Sequence, residues 1–554
     1  MSKVWKVTPK TSDDLVEQLL INRGIKTEEE KEKFFNPKLE DYEADLQIPG
    51  IEKAKKRILK AVENKELIVV YGDYDVDGVC GTAVLYHGLT SLGIKVLPYI
   101  PHREKEGYGL SKEGLQTIKE KGASLIITVD NGIVALEQAG FAQAIGLDLI
   151  ITDHHLPAEE KPQCLALIHC TKMCGTAVGW CLVRSLVSKG LAEELLDLVG
   201  IATICDLVPL LGVNRALTAL GLVQLNKTNR AGLLALFYES RLDFGKITSY
   251  EVGHILGPRL NAIGRLEHAI DSVRLLCTKD KDKARKLAQL LCAANDQKKQ
   301  LSMQATVEAK EMIAQEKGLH PDETVGKKKI LVLHSEKWIP GIIGLIAAKV
   351  AEEYHLPTIV LSRGEAESKG SARSVNGLDI VETLRKCSDL LNDVGGHPKA
   401  AGFTIDSSKI DVFKKRLESL VGETVFEDVD ELEIELEVSS SKLSKELVIK
   451  LEKFEPTGVG NPKPVLATRN IRVFGLKTVG ERKHLKFKAD GIESIAFSLG
   501  HLSNLLEEGQ LVNAAYYLEI NQFNGNSTSN FLWPVRKETP AKMWWITVFV
   551  WQKL

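Results

Sequence analysis

Short runs of apolar residues alternate with longer helical patterns over the first half of the chain. Three of these runs consist almost entirely of β-branched and aliphatic residues: Leu67–Tyr71, Leu125–Val129 and Leu149–Thr152. Short runs of this kind are typical of strands buried on both faces, and strands that alternate with helices predict parallel βαβ units. The hydrophobic pattern therefore predicts an α/β sheet between about residues 67 and 270.

The remaining patterns predict three further regions. Residues 279–317 are polar, contain many Ala, Leu and Lys residues and lack proline, which predicts one long helix that joins two lobes. A second α/β unit begins at residues 329–333 and includes the apolar run 357–361. Short alternating runs follow after about residue 425 and indicate a small β-barrel. The runs that predict its strands are 470–474, 484–488, 494–497 and 511–514.

Seven potential metal ligands stand close to the ends of the predicted elements in the first region. They are Asp73, Asp75, Asp77, Asp130, His154, His155 and Asp206. Because the carboxyl ends of parallel strands meet at one edge of a sheet, clusters at three consecutive strand ends predict a single site. Aspartate is also a common N-cap and turn residue, which would explain one such cluster but not three together.

The chemical character of these side chains predicts the metal. Carboxylates and imidazoles without a thiolate favour a hard or borderline divalent ion, with Mn²⁺ or Mg²⁺ ahead of Zn²⁺. The set offers more ligands than one ion needs, which indicates two ions that share a bridging carboxylate and split a phosphate ester. A zinc site at His169, Cys170, Cys174 and Cys181 is disfavoured, because these residues lack paired CxxC spacing.

Composition limits the class of protein. A chain of 554 residues is expected to form three or four domains with ample hydrophobic core. Its formal net charge of −2 provides no global field for a polyanion, so any nucleic-acid surface must be a local patch. Nine scattered cysteines, an odd number, favour a reducing compartment. The sequence shows neither a signal peptide nor a run of membrane-spanning length, so we expect a cytoplasmic protein without a membrane partner.

The motifs around the potential ligands resemble a known family. The segments Asp73–Gly78, Val129–Gly132 and Asp153–His155 are similar to the first motifs of the DHH phosphoesterases. Later glycine-rich segments narrow the resemblance to the RecJ family, bacterial exonucleases that are specific for single-stranded DNA and act from 5′ to 3′. These segments are Gly257–Arg265, Gly370–Ser374 and Gly395–Gly402. The resemblance extends from about residue 20 to residue 538.

The resemblance, together with the hydrophobic pattern, divides the chain into six segments. They are an N-terminal helical segment (1–62), a DHH catalytic domain (63–278), a connecting helix (279–317), a DHHA1 domain (318–425), an OB-like nucleic-acid-binding domain (426–540) and an apolar tail (541–554). The fold class implied is α/β, with DHH and DHHA1 lobes joined by a long helix and followed by a C-terminal OB-like β-barrel.

The resemblance also implies a role for individual residues. The metal ligands would be Asp73, Asp75, Asp77, Asp130, His154 and Asp206, which together hold two Mn²⁺ or Mg²⁺ ions. Asp130 is the expected bridge and one of two expected catalytic residues. His155, the other, would lie beside the scissile phosphate or behind the ligands. The expected substrate contacts are Arg103 and Arg265 for phosphates, Ser371 and Arg373 for the terminal 5′ phosphate, and His397.

These roles imply a two-metal exonuclease that releases 5′-mononucleotides from single-stranded DNA in DNA repair and recombination. The expected protein partners are a single-strand-binding protein and a recombination helicase. Two alternatives are a DHH phosphodiesterase of short oligonucleotides or cyclic dinucleotides, and a non-catalytic single-strand-binding scaffold. The barrel disfavours the first, since such phosphodiesterases typically lack it, and the filled ligand positions disfavour the second.

One segment departs from the family pattern, and a second segment has no assigned role. Family members often carry Trp-His-x-Gly where this chain has Trp338-Ile339-Pro340-Gly341, and an isoleucine side chain makes no hydrogen bond to a phosphate. The apolar run 543–551 near the C-terminus is too short to span a bilayer. It packs against the barrel, binds a partner or is an artefact of translation frame; the first and third explanations are favoured.

Overall fold

The structure, a computed structural model, describes residues 4–103, 106–107, 109–315, 329–375, 377–422, 431–521 and 543–553. The chain divides into two units. The larger unit comprises Leu46–Asp206 and Gly221–Asp428, and the smaller unit comprises Met1–Asp45, Leu207–Leu220 and Val429–Leu554. Both predicted α/β lobes and the long helix therefore belong to the larger unit, whereas the barrel belongs to the smaller one.

A five-stranded parallel sheet forms the first lobe. Its strands, in spatial order, are Val96–Tyr99, Leu67–Tyr71, Ala123–Val129, Asp148–Asp153 and Ala166–His169. The register pairs Tyr71 with Thr128 and Val129 with Thr152, so the three central strands end at nearly the same level. These three strands are the predicted ones. The sequence pattern does not predict the two outer strands, because each has only four residues and the first contains Pro98.

Helices flank this sheet and continue beyond it. They are Ile51–Glu63, Val76–Thr90, Lys112–Glu120, Leu136–Ala144, Gly175–Arg184, Lys189–Glu194, Leu196–Cys205, Ala231–Glu239, Ser249–Glu251, Gly257–Leu260, Ile263–Leu266 and Ile270–Cys277. The helix Gly212–Leu225 has residues of both units. The 35-residue helix Lys281–Gln315 confirms the predicted connection between the lobes, since it packs against residues 257–266 and against helix Pro340–Tyr354. In the described parts of the chain, no helix is both long enough and apolar enough to cross a membrane.

The second lobe contains a five-stranded mixed sheet. Its strands, in spatial order, are Leu391–His397, Ala400–Asp406, Glu367–Arg373, Thr358–Ser362 and Leu331–Ser335, and its helices are Pro340–Tyr354, Ile380–Arg385 and Ile410–Val421. The register places Ser371 opposite Gly402, so the last two glycine-rich segments are neighbouring strands. Gly370 permits this packing, because a Cβ at its position would lie 2.2 Å from the ring of Phe403.

The smaller unit contains a six-stranded sheet, five strands of which close into a barrel, while Leu436–Glu437 pairs with Leu466–Val479 alone. Its strands, in the order of pairing, are Leu436–Glu437, Leu466–Val479, His484–Ala489, Ile492–Ala496, Met543–Lys553 and Leu511–Asn521. The barrel closes because Leu466–Val479 also pairs with Leu511–Asn521. The backbone of the apolar C-terminal run is thus a strand of the barrel.

The N-terminal residues of the smaller unit share the core of this barrel. Helices Leu15–Asn22 and Glu28–Phe35 contribute Leu19, Leu20 and Phe34 to the same cluster of buried residues as barrel residues. The strand Val4–Val7 pairs in parallel with Glu431–Ile434, and the short helices Glu43–Leu46 and Lys445–Glu452 complete the unit. The sequence predicts helices at the N-terminus but not this packing, because nothing in a local pattern reports a contact between distant segments.

Candidate active site

The first acidic cluster occupies the turn between strand Leu67–Tyr71 and helix Val76–Thr90. Asp75 is the N-cap of that helix, and its carboxylate accepts a hydrogen bond from the backbone N–H of Gly78 at 3.1 Å. Gly78 allows the turn to be tight, since a Cβ at its position would lie 2.4 Å from the backbone nitrogen of Asp73. The capping interpretation is therefore correct for Asp75, and the same turn brings Asp73 and Asp77 to the strand end.

The carboxylate of Asp77 is held by the N-terminus of a second helix. It accepts hydrogen bonds from the backbone N–H groups of Gly175 at 2.6 Å and Thr176 at 2.8 Å, the first residues of helix Gly175–Arg184. The positive end of a helix dipole favours an anion at this position. Gly175 also lies against Asp130, because a Cβ on Gly175 would be only 2.7 Å from the Cβ of Asp130. One helix end thus packs against two predicted ligands.

Asp130 follows strand Ala123–Val129 in the left-handed backbone conformation, with φ 65°. Aspartate adopts this conformation at lower cost than most residues. The adjacent side chain of Asn131 secures the turn, since its amide donates to the carbonyl oxygens of Val129 at 2.9 Å and Tyr71 at 3.3 Å. The backbone that carries the predicted bridging ligand is therefore tied to two neighbouring strands.

His154 lies at the centre of the ligand cluster. Its Nε2 atom is 3.1 Å from Oδ1 of Asp130 and 3.8 Å from Oδ2 of Asp77. Its Nδ1 atom is 3.7 Å from Oδ2 of Asp206, which enters the cluster from the C-terminal end of helix Leu196–Cys205. The imidazole therefore contacts ligands that come from three separate parts of the sequence.

All seven potential ligands, the six predicted metal ligands and His155, fall into three overlapping groups, and within each group the donor atoms lie within 4.8 Å of one another. The groups are Asp77, His154 and Asp206; Asp73, Asp75 and Asp130; and Asp130, His154 and His155. Asp130 belongs to two of the groups, which is the position expected of a carboxylate shared by two ions. Within the described ranges, no cysteine belongs to such a group.

Asp153, to which sequence reasoning assigned no role, positions the histidines. Its carboxylate accepts hydrogen bonds from the backbone N–H of Ile133 at 2.8 Å and of His154 at 2.7 Å, and lies 2.8 Å from Nδ1 of His155. Burial acts to raise the pKa of Asp153, but the hydrogen bonds from His155 and the backbone lower it below the usual value. For His155, burial acts to lower the pKa, and Asp153 outweighs this effect and raises it. The sequence signal for Asp153 was its position as the first residue of the Asp153-His154-His155 triplet.

The electrostatics of the acidic cluster call for compensating cations. Burial, followed by repulsion from neighbouring carboxylates, raises the pKa of Asp73, Asp75 and Asp130 above the usual value, and that of Asp206 to about 8. Oδ1 of Asp73 and Oδ2 of Asp206 are buried and accept no hydrogen bond from any described residue. Buried anions of this density need bound cations. The donors, carboxylate oxygens and imidazole nitrogens without thiolate, fit Mn²⁺ or Mg²⁺.

The predicted phosphate-binding arginines extend from this cluster toward the second lobe. The guanidinium of Arg103 lies over the ring of Tyr74, 5.0 Å from its centroid. Arg265 donates from Nη1 to the carbonyl oxygen of Gly341 at 3.2 Å. Burial and then the charge of Arg103 lower the pKa of Arg265, while Asp75 acts in the opposite direction. Arg265 is therefore electrostatically coupled to the acidic cluster and to its fellow arginine.

Ser371 and Arg373 lie on the same face of strand Glu367–Arg373, two positions apart. Nη1 of Arg373 lies 3.4 Å from Oγ of Ser371, to which it donates. Both side chains reach the first turns of helix Pro340–Tyr354, because a Cβ on Gly344 would lie 3.1 Å from Oγ of Ser371 and 3.2 Å from Nη2 of Arg373. The structure thus brings together the two residues predicted to bind a terminal phosphate.

His397 is not part of that contact. It lies exposed at the end of a strand, opposite Ala400, which is itself opposite Arg373. Two strand spacings separate His397 from Arg373 across the sheet, a distance of about 10 Å. The departure at Ile339 also has a structural position: Ile339 is the N-cap of helix Pro340–Tyr354 and supplies no capping hydrogen bond.

Lys298 is a basic residue of this region that sequence reasoning missed. It is buried on helix Lys281–Gln315, and its Nζ donates to the carbonyl oxygen of Pro258 at 3.1 Å. Burial and then the charge of Arg265 lower the pKa of Lys298 to about 8. Nothing in the sequence distinguishes Lys298 as a buried residue, because the same helix carries other lysines on its exposed faces.

Comparison with known proteins places this geometry in a family. Models of the DHH family N-terminal domain, the DHHA1 domain and the RecJ OB domain match residues 67–203, 327–423 and 434–533. The chain is 32% identical to the single-stranded-DNA-specific exonuclease RecJ of Salmonella typhimurium, over 94% of this chain and 96% of that protein. The chain belongs to the RecJ family. It is 37% identical to RecJ of Bacillus subtilis, over 92% of this chain and 66% of that longer protein.

Solved RecJ structures agree with the fold and with the predicted metals. RecJ from Thermus thermophilus in complex with Mn²⁺ matches with a TM-score of 0.81 at 26% identity, covering 100% of this chain and 80% of that one. The same protein in complex with Mg²⁺ matches with a TM-score of 0.75 at 25% identity, covering 100% and 78%. The predicted family and fold class are thereby confirmed. The segment boundaries and the roles of individual residues stay predictions.

Proposed function

We propose that this chain is a metal-dependent exonuclease that degrades single-stranded DNA from its 5′ end and releases 5′-mononucleotides. The observation that carries the proposal is the convergence of the six predicted metal ligands and His155 in one cluster. Arg265 and Arg373 contact the same helix of the second lobe, at Gly341 and Gly344, and Arg373 lies beside Ser371. The names of the RecJ relatives, which are exonucleases specific for single-stranded DNA, support the substrate. The direction of cleavage rests on the family resemblance.

The acidic cluster would hold two Mn²⁺ or Mg²⁺ ions. Its ligands would be Asp73, Asp75, Asp77, Asp130, His154 and Asp206, with Asp130 shared. Two ions in this arrangement supply an activated water and stabilise the charge that develops on the phosphate and the leaving oxygen. The Asp153 carboxylate keeps His155 oriented and favours its protonated form, so that the ring would donate to an oxygen of the scissile phosphate.

The basic residues would hold the strand in line with this site. Guanidinium groups bind phosphate oxygens in pairs, which suits Arg103 and Arg265 to phosphates next to the cleaved bond. Ser371 and Arg373 would take the terminal 5′ phosphate, with exposed His397 farther along the same sheet edge. A pocket for a single terminal phosphate makes an enzyme begin at an end. Ile339 would add no hydrogen bond to this pocket.

We also propose a domain organisation and a cellular setting for the protein. The segments named in the sequence analysis, from 1–62 to 541–554, would mark the domains, except that the strand Met543–Lys553 and the N-terminal helices belong with the barrel. The barrel would bind single strands by stacking and charge. All nine cysteines are free thiols, which supports a cytoplasmic location. DNA repair and recombination, a single-strand-binding protein and a recombination helicase are the process and partners we propose.

A strand labelled at its 3′ end tests the activity. The wild-type protein is incubated with Mn²⁺ and a 5′-phosphorylated single strand, a blunt duplex or a cyclic dinucleotide. We expect progressive shortening of the single strand from the 5′ end, release of mononucleotides, and little cleavage of the other two. Asp130→Ala should lower turnover by more than about 10³-fold and leave strand binding intact, because the bridging ligand is lost. Asp243→Ala is the matched control, because Asp243 is an exposed aspartate that belongs to none of the ligand groups.

Each alternative function gives a different result in this assay. Hydrolysis of the cyclic dinucleotide without degradation of the long strand would indicate a phosphodiesterase of small substrates. Binding of the strand without cleavage, in Mn²⁺ and in Mg²⁺, would indicate a scaffold. Full activity of Asp130→Ala would contradict the assignment of the metal site.

A further inference from the structure

The helix Lys281–Gln315 buries a polar stripe where it packs against residues 257–266. Asn295, Lys298 and Ser302 follow the spacing i, i+3 and i+7, which places them on one face of the helix. All three are less than one-tenth exposed. Most other buried positions of this helix carry alanine, leucine or isoleucine. Polar side chains in such positions are unfavourable unless they have partners, so the stripe calls for a ligand.

The atoms around Lys298 lack such partners in the described structure. The side-chain amide oxygen and nitrogen of Asn295 form no hydrogen bond with a described residue, and the hydroxyl of Ser302 forms none either. Nε of Arg259, on the segment that the helix packs against, is also buried without a partner. The unpartnered atoms lie one helical turn on either side of Lys298 and on the facing segment.

The neighbouring charges that act on Lys298 are positive. Its Nζ donates to the carbonyl oxygen of Pro258 at 3.1 Å, which leaves two of its three N–H groups for other acceptors. The charges that act on it come from Arg265, Lys299 and Arg259, and no carboxylate of the described residues forms an ion pair with it. Buried like charges without a counter-ion are unfavourable. An anion would relieve both the repulsion and the missing hydrogen bonds.

We propose that Lys298, together with Arg265 and Arg259, forms a subsite for an internal phosphodiester of the substrate strand. The inference rests on the proposed function, because the DNA strand supplies the anion. The segment that carries Arg265 lies against the turn of the metal cluster, since a Cβ on Gly264 would be 2.8 Å from the carbonyl oxygen of Tyr74. The phosphate bound at Lys298 therefore belongs to a nucleotide close to the cleaved bond. Asn295 and Ser302 supply hydrogen bonds to its oxygens or to bridging water.

The test measures kcat, KM and their salt dependence for Lys298→Gln on a 5′-phosphorylated single strand with Mn²⁺. Loss of one charge-assisted contact should raise KM about tenfold, with kcat changed by less than about threefold. The slope of log KM against log salt concentration should fall by about 0.7, the value for one phosphate of a single strand. Lys298→Arg should restore both quantities. Lys299→Gln is the matched control, since Lys299 is the next residue of the helix and is exposed.

Several results would overturn the subsite. They are an unchanged salt slope in Lys298→Gln, a KM equal to that of the wild type, or a Lys298→Arg variant no better than the glutamine variant. Lys298→Met, which keeps the length of the side chain, provides the same comparison if the glutamine variant is unstable. If the wild type degrades no DNA, the proposed function fails, and the salt slope of strand binding by the same variants still decides the role of Lys298.

Discussion

Gly175→Ala should displace the predicted bridging ligand without removing any ligand. The new Cβ would lie 2.7 Å from the Cβ of Asp130, 2.8 Å from its Cα and 2.9 Å from its Oδ1. Cα of Asp130 is a backbone atom and Cβ is bonded to it. The clash therefore cannot be relieved by rotating the end of a flexible side chain. The backbone N–H of Gly175 also binds the carboxylate of Asp77, which would shift with the helix end.

The distances set the size of the effect. Ordinary contacts of a Cβ begin at 3.4 Å, so Asp130 or the helix end must move by about 0.7 Å. A misplacement of about 1 Å at a catalytic site costs roughly 10²-fold in rate. We therefore expect kcat to fall by a factor between about 30 and 100. Overpacking of this kind destabilises a fold by about 1–3 kcal/mol, which leaves a large protein folded.

The assay is single-strand degradation at saturating DNA over a titration of Mn²⁺. The variant should show a lower maximal rate, a higher Mn²⁺ requirement and unchanged strand affinity. Gly140→Ala is the control, because Gly140 lies within helix Leu136–Ala144 and a Cβ there would meet nothing within 4 Å. A Gly175→Ala protein that is folded and retains wild-type kcat and Mn²⁺ dependence would refute the placement of catalysis at Asp130.

Three further predictions concern end recognition, the barrel and stability. Arg373→Ala should reduce the preference for a 5′-phosphate over a 5′-hydroxyl by about 10- to 100-fold, because a charge-assisted hydrogen bond is lost. The double change Phe474→Ala and Phe497→Ala removes two exposed rings of the smaller unit and should raise KM for long strands about tenfold with little effect on kcat. Burial acts to raise the pKa of Glu66, but hydrogen bonds from Ser124 and Arg57 lower it to about 2. Because the folded-state pKa is depressed, Glu66→Gln should lower stability by up to about 3 kcal/mol at neutral pH, and the difference should shrink as pH falls below about 4.5.

Matched controls accompany these three measurements. Arg363→Ala, an exposed arginine of the same lobe, should leave the preference for a 5′ phosphate unchanged. Leu505→Ala, an exposed aliphatic residue of the smaller unit, should leave KM unchanged. Equal losses on both kinds of 5′ end would contradict the role of Arg373, and an unaltered KM in the double phenylalanine variant would contradict strand binding at those rings. A difference in Tm between wild type and Glu66→Gln that stays constant from pH 7 to about pH 3 would contradict the role of its charge.

The predicted strands and ligands depended on local patterns, which is why they could be read from the sequence. An apolar run such as Leu67–Tyr71 specifies its own burial, and the turn residues that follow it specify where the carboxylates stand. Parallel pairing then requires that consecutive strand ends share one edge, so Asp130 and His154 could be expected near Asp77. The glycine-rich segments likewise carried their own signal.

What could not be predicted depends on contacts between distant segments. The helices Leu15–Asn22 and Glu28–Phe35 have an ordinary amphipathic pattern, which does not say which core they join. In the sequence, Asp153 cannot be distinguished from the neighbouring metal ligands. Its different role follows from the three backbone N–H groups that donate to its carboxylate. Lys298 differs from the other lysines of its helix only because residues 257–266 cover it. Such roles are set by tertiary packing, which a local sequence pattern does not encode.

The most direct test of the central claim is the metal content of the acidic cluster. Crystals of the wild-type protein grown with Mn²⁺ should show two peaks of anomalous scattering, one among Asp73, Asp75 and Asp130 and the other among Asp77, His154 and Asp206, with Asp130 in contact with both. Crystals of Asp130→Ala should show at most one. A single peak in the wild type, or peaks remote from Asp130, would contradict a shared two-ion site.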